Sequence, residues 1–237
     1  MPLRVAAAAD LEPVLPPILA QFQQATGIRA EATFQASAAL TTQIQNGAPF
    51  DLFLSADLGY PKRLIDAGLA DGTGSTGSST PVIYARGTLV LWARKDSHLP
   101  PPSLDLLKNP DLKRLSIANP DRAPYGRAAV AALTSLKLYD ALKPRLVTAE
   151  NISQAAQFVD SGNADAGLIS LTSALTPRLS DDGSYFIVPR DLYPPIEQGA
   201  VIVSKTTQRE QARKLLDYLL SAPIQAQFAK SGLTPVH

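Results

Sequence analysis

Four short segments carry the chemistry that this sequence offers most clearly. Each joins the end of a predicted strand to the start of a predicted helix through a small or polar linker: Ala8-Ala9-Asp10-Leu11, Gln35-Ala36-Ser37-Ala38, Ala123-Pro124-Tyr125-Gly126 and Glu150-Asn151-Ile152-Ser153. A helix start presents unpaired backbone N–H groups and a partial positive charge, which together suit an anion. Such turns also occur in α/β proteins that bind nothing, so simple helix capping is the alternative interpretation.

Motifs for catalysis or for a cofactor are poorly represented. The two histidines are His98, in a proline-flanked loop, and His237, and neither accompanies a G-x-S-x-G, H-E-x-x-H or P-loop motif. The segment 72–77 matches G-x-G-x-x-G, but it follows a predicted helix and precedes none, so we predict a surface loop there. We therefore expect no enzymatic activity, no cofactor and no site for a bare metal cation.

Composition narrows the class of protein further. The chain has 237 residues, of which 45% are apolar and 18% charged, enough for one large domain or two lobes. A formal net charge of +1 argues against a nucleic-acid binder, and the lack of cysteine removes thiolate chemistry and disulfides. The apolar runs are too short to cross a bilayer, and Leu3–Ala8 has the pattern of a strand and not of a signal peptide. A cytoplasmic protein and an exported one that has lost its signal peptide both stay open.

The elements that must position the four turns alternate along the chain. Predicted strands lie at 3–8, 30–34, 52–55, 88–93, 115–118, 146–148, 166–169 and 199–203, and predicted helices at 11–22, 38–46, 60–67, 127–136, 152–161, 210–220 and 223–230. This alternation predicts an α/β fold with mainly parallel sheets, and Asp10 and Ser37 are expected to be N-caps. The strands at 88–93 and 199–203 bracket the middle of the chain.

That bracketing predicts two lobes. Lobe 1 would comprise residues 1–85 and 200–237, lobe 2 would comprise 86–199, and the two strands would form the hinge, with Trp92 on one of them. Ligands favour interdomain clefts, and two of the four turns fall in each lobe. We therefore expect an anion to bind in the cleft, enclosed by neutral donors from both lobes.

The same segments resemble the periplasmic molybdate/tungstate-binding proteins of ABC importers. The matching stretches are VAAAADL at 5–11, FQASAAL at 34–40, QIQNGAPFDLFLSAD at 43–57, GTLVLW at 87–92, IANP at 117–120, APYG at 123–126, AENISQ at 149–154 and ADAG at 164–167. Together they cover nearly the whole chain in order, missing mainly the Gly/Ser-rich loop at 71–80.

The resemblance implies a type II periplasmic-binding-protein fold and a tetrahedral oxyanion, molybdate or tungstate, held by hydroxyl and backbone N–H donors. Carried over by position, Ser37 supplies hydroxyl and amide, while Asp10, Tyr125 and Ile152 supply mainly backbone N–H. Ala9 adjoins this set. The resemblance also implies a periplasmic monomer that delivers its ligand to the membrane subunits of the importer.

Three places depart from the family pattern. Many members have Gly after the equivalent of Ser37, where this chain has Ala38. Ser, Thr or Asn is common at the place of Ala9 or Asp10, and we expect the Asp10 carboxylate to turn along its own helix, leaving only its N–H in the site. Some members have Tyr at the place of Ser170, which makes Ser170 a further candidate donor.

Two other functions stay open. The same fold could bind sulfate, phosphate or a small organic acid, since Arg122 and Arg127 flank the Tyr125 turn and arginine pairs readily with carboxylates. An enzyme on this scaffold is the other alternative, because a fold does not fix a function.

Overall fold

The computed structural model describes residues 1–72 and 80–236 of the chain. Two compact units form: unit 1 comprises Met1–Arg86 and Glu197–His237, and unit 2 comprises Gly87–Ile196. Most of the glycine motif at 72–77 lies outside the described residues, as does His237. Within the described ranges, no helix is long and apolar enough to span a bilayer.

Strands and helices alternate in both units. The strands are β1 (Leu3–Ala8), β2 (Ala30–Gln35), β3 (Leu52–Ser55), β4 (Ala70–Asp71), β5 (Val82–Gly87), β6 (Leu89–Arg94), β7 (Leu115–Ala118), β8 (Leu146–Ala149), β9 (Ala166–Ser170), β10 (Gly183–Ile187) and β11 (Ile196–Val203). The α-helices are α1 (Leu15–Thr26), α2 (Ser37–Gln45), α3 (Gly59–Asp66), α4 (Pro124–Ser135), α5 (Tyr139–Leu142), α6 (Ile152–Asp160), α7 (Leu171–Ala174), α8 (Pro177–Asp182), α9 (Arg209–Leu219) and α10 (Ala222–Lys230). The predicted α/β class is confirmed.

The sheet of unit 1 has the order β2-β1-β3-β11-β4, and β5 also pairs with β11. Strand β1 is parallel to β2 and β3, whereas β11 is antiparallel to β3 and β4. The sheet is therefore mixed: the parallel part predicted from the sequence is its N-terminal half, and the C-terminal strand runs against it.

Helices cover both faces of the unit 1 sheet. Strands β1 and β3 are almost wholly apolar, which is typical of strands that are buried on both sides. Successive side chains point to opposite faces, so Val5 and Ala7 pack with α1, α9 and α10. Ala6 and Phe53 pack on the other face with α2 and α3. Both cores thus hold the ends of the parallel strands in place.

The sheet of unit 2 has the order β10-β6-β9-β7-β8. Strand β7 is parallel to β8 and β9, while β6 is antiparallel to both β9 and β10. Helix α6 packs against β7 and β9, and α4 packs against β7. As in unit 1, a group of parallel strands is extended by antiparallel neighbours.

The predicted place of Trp92 on a connection between lobes is wrong. Trp92 lies in β6, inside the sheet of unit 2, where its ring is fully buried and its Nε1 donates to the Leu179 carbonyl at 3.1 Å. The chain passes from unit 1 to unit 2 at Arg86–Gly87, in β5. That strand was not predicted, because it follows directly on the Gly/Ser-rich loop.

Candidate functional site

The predicted site residues of unit 1 lie at one edge of its sheet. Strands β1 and β2 are parallel, with Ala8 opposite Gln35 at their carboxyl ends. Ala9 and Asp10 directly follow β1, in a single 3-10 turn, and Ser37 follows β2 as the first residue of α2. The structure therefore brings these three residues to neighbouring turns.

Ser37 is not the N-cap that the sequence predicted. The cap is Ala36, and the Ser37 side chain makes no capping bond. Instead its buried Oγ accepts a hydrogen bond from the backbone N–H of Ala56, just beyond β3, at 3.1 Å. Among the described residues no acceptor faces the Ser37 hydroxyl hydrogen, so this group keeps one donor for a ligand.

The predicted capping role of Asp10 is also wrong. Helix α1 begins only at Leu15, after a turn at Glu12–Val14, and its N-cap Val14 makes no side-chain bond. The Asp10 carboxylate is fully buried, and its Oδ2 accepts from Nε2 of Gln198 at 2.5 Å. The side chain thus turns into unit 1 and contacts β11, instead of following its own helix.

A buried tyrosine lies next to this carboxylate. The hydroxyl of Tyr84 donates to the backbone oxygen of Ser55 at 3.2 Å. Burial raises the pKa of Tyr84 well above its ordinary value, and the negative charge of Asp10 raises it further. We call Asp10, Gln198, Tyr84 and Ser55 the buried polar row. Because Ser55 precedes Ala56, the row reaches the residue that holds the Ser37 hydroxyl.

Gln198 and Tyr84 were missed by the sequence-based interpretation. Their side chains form hydrogen bonds with residues that are distant in sequence, and sequence patterns do not reveal such pairs. One signal was present: apart from Glu197, Gln198 is the one polar side chain in strand β11, and a buried amide needs a partner.

In unit 2 the two predicted turns are also neighbours. Strands β7 and β8 are parallel, with Ala118 opposite Ala149 at their carboxyl ends. Helix α4 starts after β7 and carries Tyr125 in its first turn, and helix α6 starts after β8 with Ile152 as its first residue. The structure brings the starts of α4 and α6 to one edge of this sheet.

The α4 turn depends on two glycines. A Cβ on Gly126 would lie 2.3 Å from the Ala118 carbonyl oxygen, so glycine lets α4 begin close against the end of β7. The buried Tyr125 ring reaches Gly87, where a Cβ would lie 2.3 Å from the Tyr125 hydroxyl oxygen. The ring is therefore a packing element, while the backbone of Tyr125 belongs to the helix start.

The α6 turn has a side-chain cap. Asn151 is the N-cap, and its Oδ1 accepts from the N–H of Gln154 at 2.9 Å. The side-chain oxygen of Gln154 accepts in turn from the N–H of Glu150 at 2.7 Å. The N–H of Ile152 is among those that helical geometry leaves without an acceptor inside the helix. The Asn151 cap fixes the start of the helix by accepting from Gln154, and it does not occupy the N–H of Ile152.

Ser170 has a hydroxyl that is already engaged. It is the fully buried N-cap of α7, at the carboxyl end of β9, and it accepts from the N–H of Ser173 at 3.2 Å. Thr172 Oγ1 donates to it at 2.9 Å, and Ser173 Oγ lies 2.8 Å away. This hydroxyl cluster satisfies Ser170 within unit 2.

Residues 3–234 match the family described as "Bacterial extracellular solute-binding protein". The molybdate-binding protein ModA of Azotobacter vinelandii is 41% identical over 217 residues, which are 92% of this chain and 83% of that protein. The protein of the same name from Rhodobacter capsulatus is 37% identical over 215 residues, 90% of this chain and 81% of the relative.

The chain belongs to the bacterial extracellular solute-binding proteins. A solved periplasmic molybdate-binding protein from Azotobacter vinelandii superposes on it with a TM-score of 0.90 at 31% identity, covering 99% of this chain and 100% of the other. The sulfate-binding protein SubI of Mycobacterium tuberculosis has a TM-score of 0.81 at 17% identity, covering 100% and 87%, and shares the fold. The expected type II periplasmic-binding-protein architecture is confirmed.

Arg122, which could pair with the carboxylate of an organic-acid ligand, forms an ion pair within this solute-binding protein. Arg122 Nη1 lies 3.2 Å from Glu150 Oε2, and both side chains are exposed. This ion pair joins the loops that lead into α4 and α6. The Arg122 guanidinium is thus paired with an acidic side chain at the surface.

Proposed function

We propose that this chain is the solute-binding component of an ABC importer and that it captures molybdate, and tungstate as well. The observation that carries the proposal is the Ser37 hydroxyl. Its oxygen accepts from the Ala56 N–H, so its hydrogen is available to an acceptor outside that contact. The choice of oxyanion is supported by a molybdate-binding relative that is 41% identical over 92% of the chain.

The proposed donors are all electrically neutral. They are the hydroxyl and N–H of Ser37 and the backbone N–H groups of Asp10, Tyr125 and Ile152, with Ala9 adjoining Asp10 in the same turn. Supporting this set is the position of each residue in the first turn after a parallel strand. For Ser170 we propose a capping role and no contact with the ligand, because its hydroxyl is engaged by Thr172 and Ser173.

The energetics of such a set suffice for tight binding. A hydrogen bond to a charged acceptor contributes about 1.5–3 kcal/mol. A micromolar to nanomolar ligand requires about 8–12 kcal/mol in total, so about five to seven donors meet the need even after the entropy of association is subtracted. Neutral donors do not distinguish oxyanions of equal charge, so we propose that cavity size separates molybdate from the smaller sulfate.

The proposed partner is the membrane part of the importer, and the proposed location is the periplasm. A relative from Bacillus subtilis, 29% identical over 236 residues, is described as a putative ABC transporter substrate-binding lipoprotein. The molybdate-binding structure that superposes with a TM-score of 0.90 is a periplasmic protein. We propose that the chain acts as a monomer, without catalysis or a cofactor.

A thermal-shift panel tests the proposed function. Molybdate and tungstate at a hundredfold excess over their dissociation constants should stabilise the protein by about 2.7 kcal/mol. Sulfate, phosphate and small carboxylates at the same concentration should leave the melting temperature nearly unchanged. The proposal is wrong if neither molybdate nor tungstate raises the melting temperature, or if a carboxylate raises it more.

A further inference from the structure

Gln198 is a buried polar side chain for which packing alone gives no reason. It lies in β11 between Glu197 and Gly199 and is fully buried. A buried amide costs free energy unless it is hydrogen-bonded, and Gln198 Nε2 bonds to Oδ2 of Asp10 at 2.5 Å. Its one side-chain hydrogen bond in the described ranges thus goes to a residue of the proposed oxyanion site.

Strand register places Gln198 at the edge that carries the proposed donors. Strand β11 is antiparallel to β3, with Gly199 opposite Ser55, the last residue of β3. Gln198 therefore lies just beyond the carboxyl end of β3. Strand β1 is parallel to β3 and ends at the same edge, at Ala8, from which Ala9 leads into Asp10. The amide meets the carboxylate where the backbone turns towards the ligand.

The charge of Asp10 makes this contact consequential. A carboxylate near a divalent oxyanion is repelled strongly where water is excluded. The neighbouring Tyr84 hydroxyl donates to the Ser55 backbone oxygen, so the donor that holds Asp10 Oδ2 comes from β11. The Gln198 amide is thus a donor that holds this oxygen of the carboxylate within unit 1.

We propose that Gln198 is a positioning residue of the oxyanion site. Its amide holds the Asp10 carboxylate inside unit 1, so that the turn at Ala9–Leu11 presents a backbone N–H to the ligand and withholds the charge. The inference rests on the proposed function, because it assigns Gln198 a role in the binding of the same oxyanion.

A double-mutant cycle measured by calorimetry with sodium molybdate tests the proposal. Gln198→Met keeps the side-chain volume but removes the donor that holds the Asp10 carboxylate. Molybdate binding should weaken about ten- to hundredfold, equivalent to one charge-assisted bond, because the released carboxylate repels the ligand. Asp10→Asn alone should change affinity by less than about tenfold. In the double variant the carboxylate is gone, so affinity should recover to near that of Asp10→Asn.

Gln225→Met is the matched control. Gln225 is another buried glutamine of unit 1, whose Nε2 donates to the backbone oxygens of Tyr84 and Leu219. Its replacement should lower the melting temperature without changing molybdate affinity. Should Gln198→Met fail to fold, Gln198→Asn, which keeps the amide but shortens its reach, should show a smaller loss with the same recovery by Asp10→Asn.

Recovery in the double variant is the result that a purely structural role would not produce. The proposal is overturned if the losses in the two single variants simply add, or if Gln198→Met binds molybdate as the unaltered protein does. Failure of the unaltered protein to bind molybdate would instead contradict the proposed function itself.

Discussion

At the scale of single residues, the hydroxyl of Ser37 combines two tasks. It accepts from the N–H of Ala56, which ties α2 to the end of β3, and it keeps its hydrogen for the proposed ligand. Because a hydroxyl is both donor and acceptor, one side chain can link two elements and still bind an anion.

Ser37→Ala should therefore affect affinity and stability together. The loss of a charge-assisted bond should weaken molybdate binding about ten- to hundredfold, and the orphaned Ala56 N–H should cost about 1–3 kcal/mol of folding free energy. Calorimetry and urea unfolding measure the two effects. Ser116→Ala is the control, since that buried serine only donates to the Ala155 backbone oxygen and should lower stability alone. Unchanged affinity in Ser37→Ala would leave this residue a purely structural role.

Tyr84 gives the buried polar row a signature at high pH. Burial, and then the charge of Asp10, raise the pKa of Tyr84 above its ordinary value of about 10. Above that pH the unfolded chain loses the phenolic proton while the folded chain keeps it, so the free energy of unfolding falls as the pH rises. Tyr84→Phe should be less stable at neutral pH but show a shallower loss of stability between pH 9 and 11. Equal slopes in urea titrations of both proteins would contradict this account.

At the scale of elements, the start of α4 is set by a steric limit. Gly126 lets the first turn of the helix lie against the carbonyl of Ala118, at a distance that leaves no room for a Cβ. The position of the Tyr125 N–H therefore depends on its neighbour.

Gly126→Ala should displace the helix start and cost about 1–3 kcal/mol, the usual range for overpacking. Molybdate affinity should fall as well, because the proposed donor at Tyr125 moves. Gly59→Ala, also in a helical first turn, is the control: its Cβ would meet only Asp57 Oδ2, at an ordinary 3.6 Å. Urea unfolding and molybdate binding are measured on both variants. Equal stabilities and equal affinities would show that Gly126 does not set the start of α4.

The four turns could be predicted because they depend on local sequence. The hydrogen-bond partners of their side chains could not. The strand ends before Asp10, Ser37, Tyr125 and Ile152 follow from short apolar stretches. The helix starts at the last three of these residues follow from amphipathic stretches. The capping roles of Asp10 and Ser37 were wrong because their side chains find partners outside their own helices, Gln198 on β11 and Ala56 after β3. Strand register determines such contacts, and no local pattern encodes the register. The short strands β4 and β10 escaped prediction for the same reason.

At the scale of the whole molecule, the two units differ in how the chain builds them. Unit 2 is a single stretch, Gly87–Ile196, whereas unit 1 uses both ends of the chain. Strand β11, from the second of these ends, pairs with β3, β4 and β5 and supplies the partner of Asp10. The proposed site in unit 1 is thus incomplete until residues far apart in sequence have met.

This arrangement has a consequence for the order of folding during synthesis. All strand partners of unit 2 have left the ribosome before β11 has, so unit 2 can fold while β3 still exposes an unpaired edge. Unpaired edges of apolar strands favour misassembly with other chains. A nascent chain of this topology is therefore prone to misassembly during an interval that ends when β11 (Ile196–Val203) pairs with β3. A circular permutant that opens the chain inside unit 2 and joins its present ends would make unit 1 continuous, shifting that interval to the other sheet.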